Sequence, residues 1–355
     1  AKKAIITHYL DETLEADNHQ NGMIYSIMSQ CAQSEFNIGI DILNGYLMQI
    51  TLNKPYNPIT EYLDELEPDF DDPKYLSLAE QAWQGKKEDF DPENLDFKKL
   101  DFTKVLAKTA TLGEMSEWYM WERFLHLWLI QVVAGADACQ RSPNPIAKHK
   151  LEAVLVMAGR QGAQKTKWFN SLAIGAFVDR VCDGVLLNPA DKDSVMNVVS
   201  HVMVELGELD STFKRADISQ LKAFISMRVD KLRPPYARAV SEFKRRTSFF
   251  ASVNDLQFLH DATGNRRFWP VEVEHLELPS VELMECVWWQ VWREYLEGAQ
   301  WWIDDPMEMA KVSVATDQFD SVHETSEIAE LIATYGYMDI DTMTAEGESE
   351  WLRCK

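Results

Sequence analysis

Ala153-Val154-Leu155-Val156-Met157-Ala158-Gly159-Arg160-Gln161-Gly162-Ala163-Gln164-Lys165-Thr166 opens as an unbroken apolar run and closes on a glycine turn and a Lys-Thr pair. The run predicts a buried strand over Ala153–Ala158, and the pattern after it predicts a helix from Lys165 to Ile174. A strand, a glycine loop, Lys-Thr and then a helix is the context in which a phosphate-binding loop works. Its amides converge on an anion at the positive end of the helix. Gly159, Gln161, Gly162, Ala163, Gln164, Lys165, Thr166 and Lys167 are therefore candidate ATP contacts. Lys165 would reach the β- and γ-phosphates, and the Thr166 hydroxyl would hold Mg²⁺. The usual pattern has glycine just before the lysine, where this chain has Gln164. A side chain there adds backbone strain and crowds the phosphate, but leaves the amide in place. A structural turn is the plain alternative.

Outward from this loop, short β-branched runs alternate with helical segments, the signature of an α/β sheet. Strands are expected at His201–Leu206, Thr247–Val253 and Arg267–Val273, and a helix over Ser280–Ile303. Before the loop the chain reads as helical. Apolar spacing marks Gly22–Gln33 and Ile38–Gln49, and one long aromatic helix is expected over Thr103–Val133, its Trp118, Trp121, Phe124 and Trp128 facing a core. Proline and acid punctuate 53–58, 67–73 and 90–94 as loops, and RSPNP at 141–145 marks a boundary. The expected organisation is a helical region at 1–145, a sheet core at 146–280, and a helical lid and tail at 281–355.

The second strand ends on Glu205, with Glu208 just beyond. An acid at the carboxyl end of a buried strand beside a phosphate loop can hold Mg²⁺ and aim water. Glu205 is assigned to the metal or its water shell and Glu208, the better candidate, to polarising water, with the reverse order as the alternative. The bland reading is an acidic surface loop. The third strand ends at Asn254, where an amide can touch the γ-phosphate or the attacking water; otherwise it is an ordinary turn residue. Arg266 and Arg267 follow a glycine turn, placed to meet phosphate in their own subunit or a neighbour's. They could also be two surface arginines.

The 355 residues carry a net charge of −22, which looks hostile to nucleic acid. The total hides an asymmetry. From Lys214 to Arg246 ten basic residues face three acids, a net of +7, so the remainder carries −29. A basic patch on an acidic body can bind a polyanion in a confined place, or it can be a salt-bridged helical face. Hydrophobic residues at 46% and charged at 26% exclude a mainly disordered chain. The most apolar stretch, Phe124–Ala136, is too short to span a bilayer, so no membrane association is expected. The N-terminus turns acidic before an apolar segment forms, which predicts no signal peptide. The five cysteines are scattered without a CxxC pair and read as reduced cytoplasmic thiols.

Taken together, VELGELDSTFKRADISQLKAFIS (Val204–Ser226), LRPPYAR (Leu232–Arg238), FFASVND (Phe249–Asp255) and TGNRRFWPV (Thr263–Val271) closely resemble the virulence-associated protein E family. These P-loop ATPases of prophages and mobile islands look like superfamily 3 helicases of the AAA+ class. The resemblance runs from about Leu151 to Ile303 and is weaker over the helical stretch before it. It implies a P-loop NTPase core sheet flanked by helices, working in the bacterial host cytoplasm. Gly159, Gly162, Lys165 and Thr166 match its Walker A loop, Glu205 and Glu208 its Walker B segment, and Asn254 its sensor-1 position. Arg266 and Arg267 match its arginine pair, one of them the finger acting across a subunit interface. The resemblance also implies a ring, usually a hexamer, threading single-stranded DNA past a β-hairpin between the Walker B and sensor strands. That interval is the +7 segment, and Lys231, Arg233 and Arg238 around Pro234-Pro235 are the candidate DNA contacts. Arg245 and Arg246 could equally serve the subunit interface.

Many relatives carry a primase-like module, but residues 1–140 hold no primase metal constellation, which favours a collar for oligomer contacts or partner docking. The expected function is an ATP-driven DNA helicase or translocase replicating a phage or mobile element, with other replication proteins as further partners. The rival is an ATP-binding oligomeric interaction protein that sequesters replication factors or acts in phage interference. A small-molecule kinase would leave the basic interval without a role.

Overall fold

The computed structural model describes residues 27–29, 31–33, 38–43, 45, 57–144, 151–207, 215–232, 241–254, 256 and 265–319. The chain divides into two compact units, Ala1–Pro58 and Ile59–Lys355. In the first, 27–29, 31–33 and 40–43 are helical, and Ile27, Cys31 and Leu43 are buried. The rest of the two helices expected there lies outside the described residues.

Helix α1 (Pro58–Glu65) starts on the last residue of the first unit and runs into the second, where α2 (Pro73–Ala82) follows; each opens on a proline whose missing N–H costs nothing in a first turn. The long aromatic helix expected next is broken in two. Helix α3 (Phe102–Ala107), capped by Asp101, gives way to a short strand β1 (Ala110–Leu112), and α4 (Trp118–Ala136) starts only after Gly113. The physical reason is local: Thr109 and Thr111 are β-branched, and the Thr109 carbonyl accepts from the Glu277 N–H instead of continuing a helix. Trp121, Phe124 and Trp128 are fully buried as expected, but Trp118 is 46% exposed because it sits in the first turn of α4.

Then come β2 (Val154–Ala158), α5 (Lys165–Ser171), β3 (Val181–Val185), α6 (Lys192–Val199), β4 (Met203–Leu206) and α7 (Arg215–Ile225). An antiparallel hairpin follows, β5 (Val229–Leu232) with β6 (Ser241–Lys244). The unit continues with β7 (Ser248–Val253), β8 (Phe268–Leu276), α8 (Val281–Glu297) and α9 (Pro306–Asp317). Helix α5 ends three residues earlier than expected, and α8 stops at Glu297 because Gly298 takes a left-handed C-cap, φ 95°.

The sheet has the order β1-β8-β2-β7-β4-β3. Its five strands from β8 to β3 are parallel, and β1 is an antiparallel edge. Strand β1 pairs only with Val273–Leu276, so Pro270 lies where β8 has no neighbour on that side and loses no ladder bond. One face of the sheet packs on α4, α5 and α8 through stacked rings, Phe169 on Phe250 at 4.5 Å and Phe124 on Trp269 at 5.2 Å. The Trp128 indole N–H donates to the Phe249 carbonyl at 2.7 Å, fixing α4 over the central strand β7. The other face packs on α7 through Leu221, Phe224 and Ile225. Both faces of the parallel strands are thus covered, which leaves the strand ends as the place for chemistry. No helix among the described residues is long and apolar enough to cross a membrane.

Candidate functional site

The loop after β2 turns on glycines for steric reasons. Gly159 has φ 156°, and a β-carbon there would lie 2.1 Å from the Val273 carbonyl oxygen of β8. Gly162 has φ 92°. Gln164 takes the left-handed conformation, φ 66°, as the N-cap of α5, so it occupies with a side chain the geometry that glycine adopts without cost. The side-chain amide of Gln164 is turned to β8, where its Nε2 donates to the Leu276 carbonyl at 3.2 Å.

Lys165 is buried at 7% exposure. Its ammonium is satisfied by the carbonyl oxygens of Gly159 and, at 3.1 Å, Arg160, and by Asn254 Oδ1 at 3.2 Å. Strand β7 therefore brings Asn254 to the lysine from the neighbouring position in the sheet. On the other side, Thr166 Oγ1 donates to Glu205 Oε1 at 2.8 Å, and Ser252 Oγ donates to the same oxygen at 2.5 Å. Glu205 is 1% exposed, yet its Oε2 has no hydrogen-bond partner among the described residues. An unsatisfied buried carboxylate oxygen costs on the order of 1–3 kcal/mol or more, so its persistence beside a threonine hydroxyl fits a site made for a cation or its water. No group of three or more His, Cys, Asp or Glu suited to a metal occurs among the described residues. That donor set suits Mg²⁺, which keeps several waters and takes one or two carboxylates plus phosphate oxygens rather than an all-protein cage.

The structure thus brings together Gly159, Gly162, Lys165, Thr166, Glu205 and Asn254. Ser252 belongs with them and was missed by the sequence reading, although a lone hydroxyl in the buried run Phe249-Phe250-Ala251-Ser252-Val253 was a usable signal. Gln161 and Lys167 are exposed and Ala163 is buried in the same loop and first turn. Glu208, Arg233 and Arg238 lie outside the described residues.

Arg266 and Arg267 are elsewhere. They form a 3-10 turn that opens β8, and β2 pairs with β8 so that Val154 faces Phe268 and Ala158 faces Glu272. The arginines therefore stand at the start of β2 and the lysine loop at its end, a separation of roughly 16 Å at about 3.3 Å per residue. That exceeds an arginine's reach, so action on the loop of their own chain is ruled out. Arg267 donates from Nε to Ser226 Oγ at 2.6 Å and lies 3.8 Å from Glu152, while Arg266 is exposed. A cavity of about 240 Å³ lined by Glu152, Arg266, Arg267, Trp269, Trp301 and Trp302 lies at this end.

The hairpin β5–β6 belongs to the same end, and it occupies the interval where the resemblance placed one. Lys231 is exposed and pairs with Glu242 at 2.7 Å, an exposed contact of small energetic weight. Arg228, Lys244 and Arg246 are exposed as well, and Phe243 (47%) and Met227 (50%) are uncovered apolar side chains beside them. Phe243 was missed because its position only becomes exposed once the hairpin is known. Arg245 is not available to a subunit interface: it is fully buried against Asp230.

Fold and site define an α/β protein with a glycine-Lys-Thr loop, an acid and a polar strand tip gathered at the carboxyl edge of a mostly parallel sheet. The chain belongs to the virulence-associated protein E-like domain family, whose model matches residues 100–320. Among solved structures it is similar to apo forms of the NrS-1 C-terminal region. One is 13% identical, with a TM-score of 0.36, covering 65% of this chain and 61% of that one. Another is 18% identical, with a TM-score of 0.31, covering 63% and 56%. This chain thus spans about 60% of the solved chains it matches. No curated protein matches it.

Proposed function

We propose that this protein binds ATP with Mg²⁺ at the Gly159–Thr166 loop and hydrolyses it to drive a ring-forming helicase or translocase along single-stranded DNA, in replication of a phage or mobile element. The observation that carries the reading is the pairing of a buried Lys165, held by Asn254, with Thr166 and Glu205, whose second carboxylate oxygen is unmatched. In this reading Lys165 would hold the nucleotide's phosphate oxygens, Thr166 and Glu205 would hold Mg²⁺, and the bound ion would supply neutralisation of phosphate charge. Asn254 touches the γ-phosphate or the attacking water, and Glu208 polarises that water. Arg266, too far to serve its own loop, serves the loop of the next subunit, which is why turnover would need an oligomer. The exposed cations of the hairpin with Phe243 among them make a surface on which a phosphate backbone and stacked bases can lie. The family resemblance to hexameric superfamily 3 helicases supports this assembly.

The rival, an ATP-binding interaction protein without turnover, is favoured by Gln164 in its left-handed cap. The experiment that tests nucleotide binding is titration of full-length protein with a fluorescent ATP analogue and Mg²⁺. Binding by the native chain and its loss in Lys165→Ala are expected; equal binding by both proteins would remove the loop from the site.

A further inference from the structure

Arg245 is among the most enclosed side chains of the molecule, at 0% exposure, and its partner Asp230 is at 4%. Its Nε donates to both Asp230 carboxylate oxygens, at 3.0 and 2.8 Å, and its Nη2 to Oδ1 at 2.6 Å. Its Nη1 reaches the Phe224 carbonyl at the end of α7, at 3.2 Å. The guanidinium plane lies over the Phe224 ring at 4.4 Å and near the Phe249 ring at 5.9 Å. Asp230 belongs to β5, Phe224 to α7 and Phe249 to β7, so one side chain fastens the hairpin base to a helix and to the central strand. Buried ion pairs can often be replaced by apolar residues of similar volume at no loss of stability, so stability alone does not explain one here.

The chain that leaves Arg245 is equally fixed. The Arg245 N–H donates to the Arg228 carbonyl, Arg246 Nη1 to the Ala136 carbonyl at 3.2 Å, and Thr247 Oγ1 to the His201 carbonyl at 2.8 Å. Strand β7 then runs between β2 and β4 and ends at Ser252 and Asn254, which hold Glu205 and Lys165. From the hairpin base to Asn254 the chain is thus tied at successive positions by side-chain and ladder hydrogen bonds.

We propose that Arg245 and Asp230 are positioning residues that make the β5–β6 hairpin and β7 a single body, so that what Asn254 meets at one end of the strand changes how the hairpin holds single-stranded DNA at the other. This rests on the reading of the loop as a nucleotide site and of the hairpin as a DNA contact. Neither residue touches nucleotide or DNA. Their contribution is the link between the two affinities, a quantity that linkage makes reciprocal and that commonly amounts to 5- to 150-fold.

The test uses the full chain and reads oligo-dT affinity by fluorescence anisotropy, with and without a saturating non-hydrolysable ATP analogue and Mg²⁺. The native protein is expected to change its DNA affinity at least fivefold on nucleotide addition. The double variant Asp230→Leu with Arg245→Met fills the same space with apolar groups. It is expected to bind nucleotide within about twofold of native while the nucleotide effect on DNA falls towards onefold. A merely structural pair would lower the melting temperature without changing that ratio. If the double variant melts early, Arg245→Lys, which keeps the charge and loses the fork, gives the same readout. A folded variant that keeps the native ratio overturns the inference alone. A native chain that binds both ligands with no mutual effect overturns it too. A native chain that binds no nucleotide or no DNA overturns it together with the function it rests on.

Discussion

Gln164 concentrates the tension between binding and stability. A non-glycine residue in the left-handed region costs roughly 1–2 kcal/mol, and its hydrogen bond to the Leu276 carbonyl returns about 1 kcal/mol. Two substitutions separate these terms. Gln164→Gly relieves the strain and loses the bond, so chemical denaturation should place it within about 1 kcal/mol of native. Gln164→Ala keeps the strain and loses the bond, so it should be destabilised by about 1 kcal/mol. If alanine were as stable as glycine, the strain assigned to this position would be absent. Elsewhere at this scale, burial pushes the Cys286 thiol up to about 12, with the Glu285 charge adding to it, in keeping with an inert core cysteine. The site residues were legible one at a time, because strand-end acids and glycine turns leave marks in sequence. Ser252 was hidden because its meaning depends on which strand lies beside β4.

Elements formed where pattern and punctuation agree. Helix α8 opens at Ser280, whose hydroxyl accepts from the Leu283 N–H at 3.1 Å, and closes on Gly298. Ser280→Ala should cost about 1 kcal/mol of stability in a urea titration; a cost below about 0.3 kcal/mol would mean that packing of α8 alone fixes its start. The expected strands β2, β4, β7 and β8 all form, because buried parallel strands are apolar throughout and stand out from their flanks. Strand β3 went unseen because Val181-Cys182-Asp183-Gly184-Val185 is a half-exposed edge with an acid and a glycine inside it. Strand β1 went unseen because three residues inside a helical pattern hold no period of their own. What pairs with Ala110–Leu112 is Val273–Leu276, more than 160 positions away, and no local signal reports that.

At the scale of the molecule, the two ends of the sheet are chemically different. The carboxyl end gathers Lys165, Thr166, Glu205 and Asn254. The amino end carries Arg266, the cavity beside it and the cationic hairpin. The excess of +7 in this interval was readable in the sequence, but its distribution was not: Arg245 and Lys222 are buried and Lys231 is paired, which leaves Arg228, Lys244 and Arg246 exposed among the described residues. The Lys165 loop and Arg266 therefore stand at opposite ends of the sheet, the geometry on which the proposed action of Arg266 on a neighbouring subunit rests.

Steady-state ATP hydrolysis by the full chain, with and without single-stranded DNA at low and moderate salt and with Arg266→Ala alongside, tests this most directly. The expected result is turnover stimulated by DNA, a stimulation that fades as salt rises, and loss of turnover in Arg266→Ala with ATP binding preserved. ATP binding without turnover, turnover indifferent to DNA, or normal hydrolysis by Arg266→Ala would contradict it.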